Sequence, residues 1–558
     1  MTHWRQWLSA ILPAFSLAFS LAACDRAPRD AAPANDNAAA SQTAASQTAA
    51  AQATYREPYR PQLHFSPPTM WMNDPNGMVF YDGEYHLFYQ YHPYSLIWGP
   101  MHWGHAVSRD LVHWQHLPIA LYPDDVGFIF SGSAVVDWNN TTGFGAEGKP
   151  PLVAIFTSYD PEHRQKSQAE SQSQSLAYSI DNGRTWTKYA GNPVLRAPRG
   201  QANFRDPKVI WHAPSRQWIM TLAVNDHVAF YASPDMKDWT YLSAFGRGIG
   251  AHTGVWECPD LFPIAVAETG AQKWVLIVSL NPGGPQEGSG TQYFVGDFDG
   301  THFALDPGFA QRLTKQDVAW LDQGSDNYAG VTWSDIPPAD GRRLFIGWMS
   351  NWAYAQAVPT TPWRSAMTLP RELTLHESTH GPSLRTRPVR ELARLRTETH
   401  TIAARRVAGE SPIAIPASAV SRADMQVSFT ADGDATRFGL AFSNDAGDVY
   451  RIGFDAVWNE YFSDRRQAGD HDFSAAFAKA VHRAPRPARD GPIDTIAMRL
   501  ILDVASVELF ADDGETVMTE IFFPSQPFTR VSFFAEDGAV SAGDGTIHAL
   551  QGIWPASR

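Results

Sequence analysis

Apolar and polar positions alternate over short stretches along most of this chain, and this pattern predicts β-strands rather than helices. Residues 84–89, 152–156 and 218–222 are aromatic-rich or apolar runs with the length of one strand. They flank three copies of a Ser-x-Asp segment that is followed by a tryptophan. The copies are Ser108-Arg109-Asp110 to Trp114, Ser179-Ile180-Asp181 to Trp186, and Ser233-Pro234-Asp235 to Trp239. Strand-rich units that recur in this way predict a β-propeller.

The spacing of polar positions indicates five such units. Asp74, Ser131, Asp206, Glu257 and Asp326 lie 57, 75, 51 and 69 residues apart, each early in one unit. Five blades then occupy residues 55–375. Because the innermost strands of a propeller surround one central channel, we expect these residues to meet there.

The pattern of apolar and polar residues is different in residues 376–558. Alternating runs such as 425–429, 497–502 and 530–534 are separated by the turn signals Asp432-Gly433 and Asp513-Gly514. This pattern predicts a β-sandwich that supports the propeller. The predicted fold is therefore all-β, a five-bladed β-propeller followed by a C-terminal β-sandwich.

The start of the chain is typical of an exported protein. Residues 1–24 contain Arg5, an apolar run, and Leu21-Ala22-Ala23-Cys24, which resembles the lipobox of bacterial lipoproteins and predicts lipidation of Cys24. A plain cleaved signal is the alternative, while a spanning helix is disfavoured because the run is shorter than the ~20 residues that a bilayer requires. Residues 25–54 are rich in Ala, Ser and Gln and predict a flexible linker. We expect a bacterial protein anchored through Cys24 on the periplasmic or cell-surface side of a membrane.

The charge and the cysteine content limit the kinds of binding partner and the disulfides expected for this chain. The net charge of −14, without a basic stripe, disfavours nucleic acid and suits a neutral ligand. The only other cysteine is Cys258, so lipidation of Cys24 leaves no intramolecular disulfide. The sequence does not reveal the oligomeric state.

Three acidic residues lie in motifs whose prolines restrict the backbone. Asp74 lies within Trp71-Met72-Asn73-Asp74-Pro75-Asn76-Gly77, Asp206 within Arg205-Asp206-Pro207, and Glu257 within Trp256-Glu257-Cys258-Pro259. Proline favours extended conformations in the residue before it, so we expect Asp74 and Asp206 to be extended, on strands or strand ends. Glycoside hydrolysis commonly uses two carboxyl groups, and Asp74 and Glu257 are the natural pair.

These motifs resemble the three signatures of glycoside hydrolase family 32, which comprises invertases, inulinases and levanases. The resemblance continues through residues 88–93, 98–105, 130–133, 350–352 and 361–365, and more weakly through residues 502–510 of the second domain. The overall pattern is most similar to the levanases. The family implies a five-bladed propeller followed by a β-sandwich.

The resemblance also implies the roles of individual residues. Asp74 is the nucleophile that forms a covalent fructosyl intermediate, Glu257 is the general acid and then the base, and Asp206 holds the fructosyl hydroxyls as transition-state stabiliser. Substrate-binding roles are implied for Asn73, Gln90, Trp98, Phe130, Ser131 and Arg205. A retaining mechanism predicts that the carboxyl groups of Asp74 and Glu257 lie ~5–5.5 Å apart. Asp74 needs hydrogen-bond donors to stay ionised, and Asn73 is a candidate donor. Cys258 is expected to be a small buried residue beside the site.

The expected activity is a retaining exo-β-fructosidase that hydrolyses terminal β-D-fructofuranosyl residues of levan, inulin or sucrose. A fructosyltransferase, a non-catalytic fructan-binding surface lipoprotein, and an inverting glycosidase with carboxyl groups ~6.5 Å or more apart remain alternatives. No cofactor or metal is predicted. His102 and His105 fit blade structure better than a metal site, and Asp297-Phe298-Asp299-Gly300 fits a strand turn better than a calcium loop.

Overall fold

Five antiparallel sheets surround a common axis and form a β-propeller. The computed structural model describes residues 54–554 except 147, 167–170, 314–317, 379–380 and 488–494. The first strands of the five sheets contact one another in a ring, β1 with β5, β5 with β10, β10 with β14, β14 with β18 and β18 with β1. The predicted propeller is confirmed. The segment 1–24 with Cys24, and the linker up to residue 53, lie outside the described residues.

The strands of the propeller follow one another blade by blade. Blade 1 contains β1 (Met70–Tyr81), β2 (Glu84–His92), β3 (His102–Ser108) and β4 (Gln115–Leu121). Blade 2 contains β5 (Phe128–Val136), β6 (Leu152–Tyr159), helix α1 (Pro161–Lys166), β7 (Gln172–Ser179), β8 (Thr187–Lys188) and β9 (Leu195–Arg196). Blade 3 contains β10 (Phe204–His212), β11 (Gln217–Val224), β12 (His227–Ser233) and β13 (Thr240–Phe245).

The last two blades complete the ring. Blade 4 contains β14 (Val255–Ala265), β15 (Gln272–Asn281), β16 (Gly290–Phe298) and β17 (Phe303–Leu305), followed by helix α2 (Pro307–Leu313). Blade 5 contains β18 (Tyr328–Thr332), β19 (Arg343–Met349), β21 (Ala366–Met367), β22 (Arg371–His376) and β23 (Ser383–Pro388). Strand β20 (Trp363–Arg364) lies between β19 and β21 in the chain but pairs in parallel with β1, so it belongs to the sheet of blade 1.

The Ser-x-Asp repeat marks the turn from the third to the fourth strand of blades 1 to 3. In each copy the aspartate Oδ1 accepts a hydrogen bond of 2.9 Å from a backbone N–H a few residues later, Asp110 from His113, Asp181 from Thr185 and Asp235 from Lys237. Blade 4 has the same turn without the serine, because Asp299 Oδ1 accepts from Thr301 N at 2.7 Å. The stretch compared with a calcium loop is thus a strand turn.

The second domain contains one continuous set of twelve strands folded as a sandwich-like sheet. Its strands are β24 (Arg396–Ile402), β25 (Arg405–Pro412), β26 (Ala423–Thr430), β27 (Arg437–Ser443), β28 (Val449–Asp455), β29 (Glu460–Gln467), β30 (His482–Pro485), β31 (Ile496–Asp503), β32 (Ser506–Ala511), β33 (Thr516–Ile521), β34 (Arg530–Ala542) and β35 (Gly545–Leu550). Short 3₁₀ helices span Arg390–Leu395, Ala417–Ala419 and Asp512–Gly514. The inward positions of these strands form one apolar core. The predicted second domain is confirmed.

Charged residues are buried where the two domains meet, and we refer to His64, Asp322, Arg371, Asp503 and Glu508 as the interface cluster. Arg371 bonds Asp322 through Nη1 (2.8 Å) and Glu508 through Nη2 (2.6 Å). His64 bonds Asp503 through Nδ1 (2.8 Å) and Glu508 through Nε2 (2.9 Å). Each acid therefore has a cationic partner from another part of the chain. Within the described ranges, no helix has the length and apolarity needed to cross a membrane.

Candidate active site

All five innermost strands are irregular at the same level of the channel. The register of each strand with its neighbour shifts between Met72 and Pro75, Ile129 and Gly132, Arg205 and Lys208, Glu257 and Asp260, and Tyr328 and Val331. Proline has no N–H for the ladder, which explains the irregularity at Pro75, Pro207 and Pro259. Bulges turn side chains that a regular strand would direct elsewhere. The motifs that contain the acids therefore also change the direction of the acid side chains.

Asp74 lies in the irregular part of β1 and accepts hydrogen bonds from the Asn73 and Ser131 side chains, besides a longer one from the Cys258 thiol. Asn73 Nδ2 donates to Oδ1 (3.0 Å), and Ser131 Oγ, from blade 2, donates to Oδ2 (2.7 Å). Trp71 Nε1 donates to Asn73 Oδ1 at 2.7 Å and thereby orients the Asn73 amide. The expected donor from Asn73 is present.

Asp206 lies on β10 and is buried. Its N–H donates to Thr157 Oγ1 (3.0 Å), and its Oδ2 accepts from the backbone N–H of Cys258 (2.9 Å). The strand position is confirmed, but the extended conformation expected before proline is wrong, because Asp206 has a φ of 63°. Contacts from blades 2 and 4 hold this unusual conformation, which the local sequence disfavours.

Glu257 is held at both carboxyl oxygens. Arg205 Nη2 and Nε donate to Oε1 at 2.7 and 3.2 Å, and the Tyr328 hydroxyl from blade 5 donates to Oε2. Arg205 Nη1 donates in turn to Asn203 Oδ1 at 2.6 Å. Arg205, expected to contact substrate, here orients the Glu257 carboxyl. We refer to Asp74, Arg205, Asp206 and Glu257 as the channel cluster.

Burial shifts the pKa values of Asp206 and Asp74. The nearby cation Arg205 lies 3.8 Å from Asp206 (Nε to Oδ2) and 2.7 Å from Glu257 (Nη2 to Oε1). Burial raises the pKa of Asp206 to about 7; the Arg205 charge opposes the rise, and the Glu257 charge adds to it. Burial also raises the pKa of Asp74, although hydrogen bonds from Asn73 and Ser131 oppose the rise. Asp74 and Asp206 therefore hold protons more readily than isolated carboxyl groups do.

Cys258 lies between two of the acids. Its thiol is buried, with Sγ 3.6 Å from Asp74 Oδ2 and 3.7 Å from Asp206 Oδ2. Burial, reinforced by the neighbouring acids, raises the pKa of this thiol well above its ordinary value, so it is a neutral packing group. The expected small buried residue beside the site is confirmed.

The remaining predicted pocket residues lie in blades 1 and 2. Trp98 is half-buried and packs edge to face on Phe130, with ring centroids 5.9 Å apart. Phe130 stacks on Tyr159 at 4.5 Å. Gln90 is buried, and its Nε2 donates to the Ile129 carbonyl (2.9 Å), one residue before Phe130. An apolar wall thus adjoins the Ser131 that contacts Asp74.

Asp326 does not join the other acids, and Tyr328 occupies the corresponding place in the fifth strand. Asp326 Oδ2 accepts from Arg465 Nη1 (2.7 Å) and from Ile521 N (3.0 Å), both in the second domain. We expected Asp326 in the channel because its spacing matches that of the other polar positions, and this prediction is wrong. Tyr328 and Asn203 carry no sequence signal of their own, although a polar residue at the start of the fifth inner strand could have indicated Tyr328.

The described residues contain no group of three or more His, Cys, Asp or Glu side chains arranged to hold a metal ion. His102 Nδ1 lies 3.0 Å from the Pro100 carbonyl, and His105 Nε2 lies 3.0 Å from His86 Nδ1. Both histidines are buried and bonded within blade 1. What the channel offers chemically is carboxyl groups, one guanidinium, one phenol and aromatic walls.

Comparison with known proteins agrees with this chemistry. The chain is 47% identical to a levanase of Bacillus subtilis over 90% of the chain and 72% of the levanase. It is 39% identical to an extracellular exo-inulinase of Aspergillus ficuum, over 90% of the chain and 96% of that protein. The crystal structure of an exo-inulinase from Aspergillus awamori superposes with a TM-score of 0.81 at 36% identity, covering 90% of this chain and 100% of that one.

Family models match both domains. The N-terminal domain of glycosyl hydrolases family 32 matches residues 64–388, and the C-terminal domain of the same family matches residues 391–549. Together the two matches span most of the chain, with their border between β23 and β24. This chain is a glycoside hydrolase and belongs to glycoside hydrolase family 32.

Proposed function

We propose that this protein is a retaining exo-β-fructosidase that removes terminal β-fructofuranosyl units from fructans, with levan as its first substrate and inulin and sucrose as further substrates. The observation that carries the proposal is the convergence of Asp74, Asp206 and Glu257 in one channel. The similarity to a levanase and to exo-inulinases supports the choice of substrate class.

The first half of the proposed reaction forms a covalent intermediate. The ionised Asp74 carboxylate attacks the anomeric carbon of the terminal fructosyl unit, and the bond to the departing oxygen breaks. Glu257 transfers its proton to that oxygen, so the shortened chain leaves as an alcohol. The donors from Asn73 and Ser131 favour the ionised form that Asp74 needs for this attack.

The second half regenerates the enzyme. Glu257, now ionised, takes a proton from water while the water oxygen attacks the anomeric carbon, and the ester bond to Asp74 breaks. Arg205 and Tyr328 hold the Glu257 carboxyl in place through both halves. Asp206, buried beside Cys258, is positioned to accept hydrogen bonds from fructosyl hydroxyls as charge develops on the sugar.

The test compares sugar release from levan, inulin and sucrose by the parent, Asp74→Asn and Glu257→Gln proteins. Asp299→Asn, which alters an exposed carboxylate in the blade 4 turn, is the matched control. We expect loss of about 10⁴-fold or more in kcat for Asp74→Asn and about 10²–10⁴-fold for Glu257→Gln, with Asp299→Asn unchanged. Fructan binding without release by the parent protein would instead identify a non-catalytic fructan-binding protein.

Product analysis distinguishes retention from inversion and hydrolysis from fructosyl transfer. NMR of the first turnovers is expected to show fructose released in the β configuration, as retention requires, whereas initial α-fructose would establish inversion. Longer oligosaccharides formed in place of free fructose would identify a fructosyltransferase.

We further propose that the protein is exported and anchored by lipid on Cys24. The proposal depends on the Leu21-Ala22-Ala23-Cys24 motif, and export is in keeping with the extracellular relative. Cells fed a labelled fatty acid should label the parent protein and not Cys24→Ala, which should be released from the membrane fraction. Equal membrane retention of both proteins would contradict the anchor.

A further inference from the structure

The Arg205 guanidinium lies between two acids and pairs closely with only one of them. Its Nη2 and Nε donate to Glu257 Oε1 at 2.7 and 3.2 Å, whereas its ion pair with Asp206 is longer, 3.8 Å from Nε to Oδ2. Both acids attract the guanidinium, so charge alone does not decide which of them it faces. Another contact of the guanidinium therefore contributes to this choice.

Asn203 supplies such a contact from the residue that precedes β10. Arg205 Nη1 donates to Asn203 Oδ1 at 2.6 Å. Because a guanidinium is planar and its N–H donors have fixed directions, a bond at Nη1 also fixes the directions of Nε and Nη2. The Arg205 side chain is only 12% exposed, so an N–H group that loses Asn203 has little water to bond instead. Asn203 thus holds the other donors of Arg205 toward Glu257.

A second asparagine sets the orientation of the Asn203 amide. Asn203 Nδ2 donates to Asn225 Oδ1 at 3.2 Å, and Asn225 Nδ2 donates to Gln201 Oε1 at 2.8 Å. A rotated Asn203 amide would place its N–H groups against the guanidinium of Arg205 and its oxygen against Asn225 Oδ1, and both contacts are repulsive. We refer to Asn203, Asn225 and Gln201 as the amide chain. Each side chain in it donates to the next, from Arg205 to Gln201.

The backbone of Asn225 connects the same two inner strands. Its N–H donates to the Asn203 carbonyl (3.3 Å), and its carbonyl accepts from the N–H of Trp256 (2.7 Å), the residue before Glu257. Asn225 lies in the turn between β11 and β12 and has a φ of 55°, a conformation that asparagine and glycine tolerate best. The turn therefore anchors the segments that carry Arg205 and Glu257.

Two explanations of Asn225 make different predictions. If asparagine is present only because the turn needs a positive φ, glycine would serve as well. If the Asn225 amide orients Asn203, and through it Arg205, glycine would keep the turn and lose the orientation. All three side chains of the amide chain are half-buried, and their hydrogen bonds are continuous as far as the guanidinium. These contacts favour the second explanation.

We propose that Asn203 and Asn225 are positioning residues for proton transfer by Glu257. They hold Arg205 on Glu257 in preference to Asp206, and thereby keep the Glu257 carboxyl directed at the departing oxygen. This inference rests on the proposed acid and base roles of Glu257, and it requires neither asparagine to contact the substrate.

The test compares kcat/KM on sucrose with kcat/KM on a nitrophenyl β-D-fructofuranoside, since both report formation of the covalent intermediate. Nitrophenolate is a weak base and leaves without a proton, whereas the sugar that leaves from sucrose needs a general acid. Asn203→Leu keeps the side-chain volume without an acceptor, and Asn225→Gly keeps the positive φ without an amide. We expect each variant to lose about tenfold on sucrose, in kcat with KM little changed, and less than about twofold on the nitrophenyl fructoside.

Two further variants control for effects on the turn. Asn182→Gly is the matched control, because Asn182 also has a positive φ, of 57°, and its Nδ2 donates to one side chain, Asp82, at 2.7 Å. It should leave both activities unchanged. Asn225→Asp keeps the tolerance of positive φ and the oxygen that accepts from Asn203, so its kcat/KM on sucrose should stay within about threefold of the parent.

Specific outcomes would overturn the positioning role. Parent activity of Asn225→Gly on sucrose would show that Asn225 serves the turn alone. Equal losses on both substrates would show a general disturbance of the site, and a rise in KM alone would show a contact with substrate. If Asn203→Leu does not fold, Asn225→Gly decides the test.

Glu257→Gln, measured on the same two substrates, separates this inference from the proposed function. No selective loss on sucrose in Glu257→Gln would contradict the proposed acid and, with it, the positioning role. A selective loss in Glu257→Gln without one in Asn203→Leu and Asn225→Gly would contradict the positioning role alone.

Discussion

The channel cluster and the interface cluster both bury several carboxyl groups, yet the pKa shifts found in the two clusters have opposite directions. In the interface cluster, burial alone would raise the pKa of Asp503 and Glu508, but His64 and Arg371 outweigh it and hold both pKa values below the ordinary range. In the channel cluster, the pKa values of Asp74 and Asp206 are raised. Burial therefore does not decide the role of an acid.

The difference lies in the ratio of cations to acids and in where the partners come from. Three interface acids share Arg371 and His64, which are themselves fully buried, and the network joins the propeller to the second domain. Among the described residues, Arg205 pairs with the channel acids Glu257 and Asp206, and Asp74 has no ion-pair partner. Buried carboxylates whose charge is paired with a cation stabilise a fold. Buried carboxylates with too few cationic partners can instead exchange protons and bind a substrate.

Breaking the interface cluster should have the largest effect on stability. Arg371→Met leaves Asp322 and Glu508 buried without this cation, and we expect a loss of about 3–5 kcal/mol in the free energy of unfolding. Denaturant unfolding measures it. Arg390→Met, at a side chain that is 70% exposed, should change stability by less than about 0.5 kcal/mol. Equal losses in the two variants would remove the distinction between buried and exposed charges.

The pH dependence of the interface cluster should come from His64. Burial lowers the pKa of His64, but its hydrogen bonds to Asp503 and Glu508 outweigh this and raise it to about 9. The stabilisation is complete below pH 6.5 and is lost as pH rises through 9, about 3 kcal/mol in total. The stability difference between the parent protein and His64→Gln should shrink over this range in unfolding experiments. A constant difference from pH 6 to 10 would mean that His64 is neutral throughout.

The channel cluster should also lose stability as pH rises, but in a lower pH range and because of an acid instead of a histidine. Because the folded pKa of Asp206 is raised to about 7, the native state binds an extra proton between pH 4 and 7, and stability falls as pH rises through that window. We expect Asp206→Asn to match the parent at pH 4 and to be more stable by about 4 kcal/mol at pH 8, while losing activity. Thermal unfolding at both pH values measures the change. A variant that is less stable at pH 8 would show that Asp206 is a structural acid.

Tyr328 offers a test within the channel, because its hydroxyl donates to the Glu257 carboxyl. Removal of its hydroxyl in Tyr328→Phe should lower kcat about tenfold, equivalent to about 1.4 kcal/mol, with KM little changed. As a positioning residue, Tyr328 should also affect the pH–rate profile, because its hydroxyl bonds a reacting carboxyl group. Tyr450→Phe, which removes a buried hydroxyl bonded to Ser463 in the second domain, is the control and should leave the profile unchanged.

Local features of this protein were readable from the chain. The Ser-x-Asp turns depend on a carboxylate that bonds a backbone N–H a few residues later, so three of them were visible as a repeat. The fourth turn, at Asp299, lacks the serine and was recognised only as a turn. The acids Asp74, Asp206 and Glu257 were identified through motifs whose prolines lie next to or near them.

Long-range features were not readable. Asp326 follows the same interval as the other polar positions but bonds Arg465, 139 residues later in the chain. The positive φ of Asp206 opposes the preference imposed by Pro207 and persists because Thr157 and Cys258 hold it. Tyr328 reaches Glu257 only because blades 4 and 5 are neighbours in the ring.

The sequence by itself determined the strand-rich architecture, the turns and the identity of the three acids, because these depend on alternation, on short-range hydrogen bonds and on proline. Only the tertiary structure decided the raised pKa values of Asp74 and Asp206 and the partners of Arg205. Each of these depends on how many charges from distant segments share one buried volume, and electrostatic interactions in such a volume are set by distances that spacing along the chain does not specify.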